Sequence, residues 1–411
     1  MNPRIAPRTT STPAKGTVLV SGASIAGLTV ASWLHRYGFA VTVVEKAAAP
    51  RSGGYPIDVR GTAVEVARRT GILPGLRAAD IASRRMTFLD ADGSTAAVVP
   101  PHAVAGGAEG HDVEVPRGHL TELLYGTVRD DVEFLFDDSV EALADLEHGV
   151  DVTFRSGARR SFDVVLGADG LHSRTRELVF GPEEQFHHYL GYCFAIFTVP
   201  NTWGLSREVV LWNAPGRAAA LYAVGDGDEL HAFLNVAHPE PADEVRRDPE
   251  ALRHLVASAF AGDGWEIPAM VAALGTADDA FFDTVSQIRM PRWHSGRVAL
   301  LGDAAYAPSF LTGQGSSLAL VGGYLLARSL ADHGDHTSAF AAYERDVRDF
   351  VELNQAQVGA GDAALFPTTA EALERRNARL RGLAAASAAG SPPRTGRPAH
   401  TALTLPPHVG S

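Results

Sequence analysis

The sequence predicts a mixed α/β chain in which a domain of largely parallel strands and helices is interleaved with an antiparallel-sheet domain and followed by C-terminal helices. Three observations carry this. A strand, glycine turn, helix and second strand open the globular chain. Alternating apolar runs fill its middle, as a sheet with one covered face requires. A further strand, glycine loop and helix return from Arg297, before long helical stretches.

At 411 residues the chain exceeds the usual size of one hydrophobic core, which favours two interleaved domains. Hydrophobic residues make up 45% and charged residues 20%, a composition typical of a soluble globular enzyme. The net charge of -12, without a cluster of Lys and Arg, argues against a nucleic-acid partner. Cys193 is the only cysteine, so no intrachain disulfide or cysteine-based metal site can form, and a cytoplasmic location is expected. No apolar run reaches the roughly 18 to 20 residues needed to span a bilayer, and no histidines show metal-ligand spacing such as HExxH. Neither a membrane nor a metal is expected as a partner.

The expected organisation begins with an unstructured leader over 1–15, which has no apolar segment of the signal-peptide kind. A first domain covers 16–175 and 289–335, and a second covers 176–288 with a contribution from near 75–115. Helices occupy 336–388, and a proline-rich, unstructured tail covers 389–411.

Thr17 to Ser21 reads as a buried strand, Gly22-Ala23-Ser24-Ile25-Ala26-Gly27 as a glycine-punctuated turn, and Ile25 to Tyr37 as a helix ending at Gly38. Gly22 permits the sharp turn, the backbone at Ser24 approaches a pyrophosphate, and Gly27 lets the helix pack on the strand. The helix start offers free N–H groups and partial positive charge. Phe39 to Val44 is the second strand, and Glu45 ends it where an acid hydrogen-bonds a ribose hydroxyl, with Lys46 beside it. This is the pattern of a Rossmann-like dinucleotide site, although serine stands at the middle glycine. A plain glycine turn with a surface glutamate is the alternative.

Further strands are expected at Val132 to Phe136, Val150 to Phe154 and Phe162 to Leu166, then in the second domain at Glu208 to Trp212, Ala218 to Val224 and His231 to Val236. The run Val164 to Leu166 enters Gly167-Ala168-Asp169-Gly170, which brings Asp169 and bare backbone to a sheet end, where ligands of α/β folds sit. A turn merely capped by Asp169 fits the same residues. Val298 to Leu301 leads into Gly302-Asp303-Ala304-Ala305, and Gly313-Gln314-Gly315 precedes an apolar helix from Ser316 to Leu330. The helix start can stabilise negative charge on a bound ring system. A buried strand with an Asp-stabilised turn is again the alternative.

In this order and spacing, from about Val18 to Leu330, the three motifs resemble those of the class A flavoprotein monooxygenases, the para-hydroxybenzoate hydroxylase family. The resemblance is closer to the tetracycline-inactivating members: Arg51, Gly53, Gly54 and Asp58 are similar to their Arg-Gly-Gly-Asp segment, and Arg117 to a flavin-contacting arginine. It implies that FAD is bound through Gly22, Ser24, Ala26, Gly27, Glu45, Lys46, Asp58, Arg117, Asp169, Asp303, Gly313 and Gly315. It places NADPH at Arg51 and the Asp-Gly motif, though Arg51 alone also reads as a solvated surface arginine. Tyr306 and Phe310 depart from the family's histidine and proline at those positions.

By the same resemblance NADPH reduces the flavin, oxygen adds to its carbon 4a, and the hydroperoxide passes one oxygen atom to a small aromatic or polyketide substrate. No general base is assigned. Trp212, Tyr222, Phe233, Asn235 and Phe310 are the expected substrate wall, with plain core packing as the alternative for each. Two other functions stay open. One is a non-catalytic FAD or ligand carrier, against which the set Arg51, Asp58, Arg117 and Asp303 weighs. The other is a flavin-dependent halogenase, suggested only by Trp265-Glu266-Ile267-Pro268. A monomer or weak homodimer is expected.

Overall fold

The structure, a computed structural model, describes residues 14–51, 53–105, 111–239, 248–388 and 399–407. A six-stranded sheet runs in the order His294–Ser295, Val298–Leu300, Val164–Gly167, Thr17–Ser21, Ala40–Glu45 and Glu133–Phe136. Every neighbouring pair is parallel except the first. Thr17–Ser21 is a central strand covered on both faces, which is why its apolar residues run on without alternation. Val18 and Val20 face the helices Ile25–Arg36 and Gly315–Asp332. Leu19 faces a three-stranded sheet of Val140–Leu146, Gly149–Phe154 and Arg159–Phe162.

The run expected as a single strand from Phe162 to Leu166 is two strands in two sheets. Asp163 breaks it, because its carboxylate accepts from the Thr17 N–H at 2.6 Å while its own N–H donates to Thr17 Oγ1 at 3.0 Å. Phe162 therefore ends the antiparallel sheet and Val164 begins the parallel one. Apolar character is the same on both sides of the break, so the sequence does not mark it.

The second large sheet has seven strands in the order Phe281–Ile288, His187–Pro200, Glu229–Ala237, Arg217–Ala223, Glu208–Ala214, Arg85–Leu89 and Thr95–Val99. Only the pairing of Arg85–Leu89 with Glu208–Ala214 is parallel. The 14-residue strand His187–Pro200, missing from the runs read in the sequence, is the longest of them. One face of the sheet packs Ala195, Phe197, Leu221 and Leu234 against the helices Pro249–Ala259 and Ile267–Thr276. The other face carries Phe194 and Phe233 and meets Tyr55 and Leu311 from the parallel-sheet side.

Helix His336–Gln355 packs on Gly315–Asp332. Helix Ala370–Ala388 covers the sheet edge, with the Arg376 guanidinium 4.9 Å from the Phe88 ring. The tail departs from expectation: residues 399–407 lie against the body, with His400 and Leu405 buried. Prolines remove backbone donors but leave carbonyls that side chains of the body can bond, and apolar periodicity does not register this. The expected leader over 1–13, and 389–398 and 408–411 of the tail, lie outside the described residues. Among the described residues, no helix is long and apolar enough to cross a membrane.

Candidate active site

The central strand delivers Gly22 to the C-terminal edge of the parallel sheet at a φ of +107°, where a Cβ would stand 2.5 Å from Ala168 O. The fingerprint and the Gly-Ala-Asp-Gly loop thus touch backbone to backbone. A Cβ on Gly27 would stand 1.9 Å from Gly22 O, so the helix start packs directly on the turn. Gly302, at a φ of +62°, leaves 2.7 Å between its Cβ position and Ala26 Cβ, which seats the Gly-Asp motif on the same helix. All three motifs converge at one sheet edge.

Around that edge Arg117 Nη2 donates to Ser24 Oγ at 2.8 Å. Gly54, at a φ of +128°, fits under the Arg117 stem with its Cβ position 3.3 Å from Arg117 Cβ. Asp58 Oδ2 pairs with Arg60 Nη2 at 2.8 Å and lies 3.3 Å from the Cβ position of Gly313. Asp303 Oδ1 is the nearest group to Gly315, at 3.9 Å from its Cβ position. Asp303 keeps accessible surface although protein rings it, as at the bottom of a cleft. Desolvation raises its carboxyl pKa, and the Arg117 charge opposes the rise.

Glu45 ends its strand as expected. Its carboxylate accepts from Ala23 N–H at 2.8 Å and Ala47 N–H at 3.0 Å, so it fixes the fingerprint turn and keeps lone pairs for a hydroxyl. Lys46 beside it and Arg51 are exposed. Asp169 takes the turn-capping alternative: it accepts from Ser173 Oγ at 2.5 Å and from Thr175 N–H and Oγ1 at 2.9 Å each. What its loop leaves open is backbone at Gly170, whose Cβ position has nothing within 4 Å.

His172, which no sequence signal singled out, ties this loop to the seven-stranded sheet. Its ring nitrogens meet Glu183 at 2.8 Å and Asp283 at 3.3 Å. Burial opposes its charge, but the two carboxylates overcome that and push its pKa up to about 9.

The sheet face turned to the cleft is aromatic. Phe233 meets Tyr55 edge-on at 6.2 Å, Phe310 meets Phe194 at 5.0 Å, and Phe366 lies 6.0 Å from Phe310. Asn235 lies in register with Phe194 on the neighbouring strand, and its Oδ1 is buried without a partner. Tyr222 is on the same face, but its hydroxyl is taken by Glu114 and Ser83. Trp212 corrects the expected wall. It has no exposed surface, donates its Nε1–H to Ala91 O at 3.2 Å, and packs near Phe260 on the helix-covered face. Strand alternation assigns Trp212 and Asn235 to opposite faces only once the register is known. Tyr55, Phe194, Asp283 and Phe366 were missed; the β-rich run around Phe194 was a legible signal, whereas Tyr55 and Phe366 stand on loops.

The FAD binding domain family matches residues 15–356. An uncharacterized protein of Mycobacterium tuberculosis is 42% identical over 361 residues, which cover 87% of this chain and 97% of that protein. A flavin-dependent monooxygenase from an unknown prokaryotic organism is 36% identical over 371 residues, 89% of this chain and 95% of that one. The crystal structure of the tetracycline destructase Tet(55) matches with a TM-score of 0.81 and 34% identity, covering 96% of this chain and 99% of that chain. The chain is a class A flavoprotein monooxygenase. As such it binds FAD and is an FAD-dependent monooxygenase of small substrates.

The residues of this flavoprotein fit its cofactor. The fingerprint helix Ile25–Arg36 and the helix Gly315–Asp332 both begin without a side-chain cap, so their first N–H groups are free for an anion or a ring edge. Gln314 at the second helix start is buried with its Oε1 unpartnered, and a flavin bound there would supply a donor.

Proposed function

We propose that this monooxygenase uses NADPH and O2 to hydroxylate an aromatic or polyketide substrate, releasing NADP+ and water with the second oxygen atom. The observation that carries this reading is the meeting of Ser24, Asp58, Arg117, Asp303 and two uncapped helix starts at one cleft that the aromatic sheet face overlooks. When bound, FAD supplies the redox chemistry, taking a hydride from NADPH and activating O2.

The chain's own residues bind and orient. Gly22, Ser24, Ala26, Gly27, Glu45 and Lys46 hold the ADP half, with Gly170 offering backbone beside it. Asp58, Arg117 and Asp303 hold the ribityl side, and the exposed Arg51 receives the nicotinamide nucleotide. The helix start at Gly313–Gly315 would stabilise the negative charge of a reduced ring held beside it. Tyr55, Phe194, Phe233 and Phe310 form an apolar wall that grips a flat substrate and excludes water, and Asn235 orients it. No side chain is assigned as a general base. The 34% identity to a tetracycline destructase supports polycyclic polyketides as the first substrates to test. The single buried Cys193 supports a cytoplasmic location.

The deciding experiment is a substrate panel with NADPH, following oxygen uptake and the product mass. The expected result is substrate-stimulated NADPH oxidation with a gain of one oxygen atom. No NADPH oxidation or oxygen uptake with any compound, despite bound FAD, would favour the carrier, and halide incorporation would favour the halogenase. Glu45→Ala gives a narrower check. It removes a ribose acceptor and the bond that holds the Ala23 N–H, and hydrogen bonds to charged groups contribute about 1.5–3 kcal/mol each. FAD affinity is expected to fall at least about tenfold in a fluorescence titration. An unchanged affinity would assign Glu45 to the turn alone.

A further inference from the structure

The C-terminal segment has no apolar periodicity, yet the body holds it at several points. Asn354 Nδ2 donates to Ala399 O at 3.3 Å, Thr62 Oγ1 to Leu403 O at 2.6 Å, Arg69 Nη1 to Pro406 O at 2.7 Å, and Arg328 Nη1 to Pro407 O at 2.6 Å. At Gly61 the contact is backbone to backbone, since a Cβ there would stand 2.3 Å from His400 O and 2.7 Å from the His400 ring. Gly61 directly follows Arg60, a buried guanidinium paired with Asp58. Asp58 in turn lies against Gly313. A continuous path of contacts therefore runs from the segment through Gly61 and Arg60 to the glycine loop of the cleft.

We propose that residues 399–407 are an outer brace of the FAD site and that His400 is a positioning residue, holding the Asp58–Arg60 pair against the Gly313–Gly315 loop. This rests on the reading of Asp58 as an FAD contact and extends it to a part of the chain far from every sequence motif. Side chains from three different helices bond the brace, which argues for a defined docked position. The position of His400 also has an electrostatic consequence. Desolvation lowers its pKa from 6.5, Asp112 opposes this, Arg60 adds to it and Asp58 opposes it. Glu114, directly across from Asp58 on the paired strand, is itself pushed towards the neutral form by burial and by Asp58. Docking thus favours the neutral form of His400. Because its docked pKa lies below the free value, docking is at full strength above pH 6.5 and weakens as the pH falls further.

The test is titration of full-length apoprotein with FAD, read by quenching of flavin fluorescence at about pH 7.5 and about pH 5.5, on either side of the histidine range. Wild type is expected to lose affinity at the acid pH. His400→Lys sets a permanent cation beside Arg60 and is expected to weaken FAD at least about tenfold at both values. His400→Gln, neutral throughout, is expected to stay within about threefold of wild type at the higher pH and to show a smaller acid loss. The readout that a merely structural contact would not move is the acid loss of affinity, present in wild type and reduced in His400→Gln. Thr62→Val removes only the donor to Leu403 O, and a loss of about threefold to tenfold is expected there. That variant decides the matter should His400→Lys fail to fold. Asp58→Ala separates the two levels of the argument. If Asp58→Ala weakens FAD while the His400 and Thr62 variants bind as wild type, the brace is overturned and the reading of Asp58 stands. If Asp58→Ala also binds FAD as wild type, both fall.

Discussion

Asp303→Ala is expected to weaken FAD binding about tenfold to a hundredfold, with NADPH oxidation largely restored at saturating FAD. The size follows from the loss of hydrogen bonds to a charged group, about 1.5–3 kcal/mol, at about 1.4 kcal/mol per factor of ten. Among the described residues, no side chain is in hydrogen-bond contact with the Asp303 carboxylate to exchange a proton. Its surroundings are the helix start at Gly315, 3.9 Å from Oδ1 to the Cβ position, and the Arg117 charge. Both features suit a fixed acceptor beside a polar chain. The fold itself should change little, because Asp303 keeps accessible surface and closes no core contact. The measurement is FAD titration of the purified variant, followed by NADPH oxidation at rising FAD. Normal FAD affinity with abolished turnover would make Asp303 a catalytic group and contradict the ligand role.

The motif-bearing part of this molecule was legible because its chemistry demands particular residues at fixed places along the chain. Gly22 and Gly27 are required by backbone contacts of 2.5 Å and 1.9 Å that no Cβ survives. Glu45 is required at a strand end, where its carboxylate reaches the turn. These constraints are local and leave a spacing to be read. The sheet that overlooks the cleft imposes no such spacing. Its strands come from residues 85–99 and 187–288, and which side chains face the cleft depends on registers between segments far apart in sequence. Phe233, Asn235 and Trp212 all stand on strand-like runs, and only the registers put Phe233 and Asn235 on the face towards Tyr55 and Trp212 on the helix-covered one. The break at Asp163 is not marked in the sequence for a related reason, because a polar residue between two apolar runs also occurs inside strands. The packed tail was illegible because proline-rich backbone docks through carbonyls, which every residue has.

Trp212→Ala is expected to destabilise the apoprotein by about 3–5 kcal/mol while leaving the choice of substrate unchanged. The side chain has no exposed surface and lies among Phe197, Leu221, Leu234 and Phe260, so truncation removes a large buried ring and leaves a cavity that the paired strands cannot close. It also strips Ala91 O of its donor at 3.2 Å, which adds an unsatisfied carbonyl. Trp212→Phe keeps most of the packing and should recover much of the loss. Phe233→Ala provides the contrast: its ring is only partly buried, meets Tyr55 across the cleft, and should change the KM for substrate far more than the unfolding midpoint. Urea unfolding of the apoproteins measures the first quantity, and substrate-dependent oxygen uptake the second. A Trp212→Ala variant of wild-type stability with altered substrate preference would return Trp212 to the substrate wall and reverse the assignment of the two sheet faces.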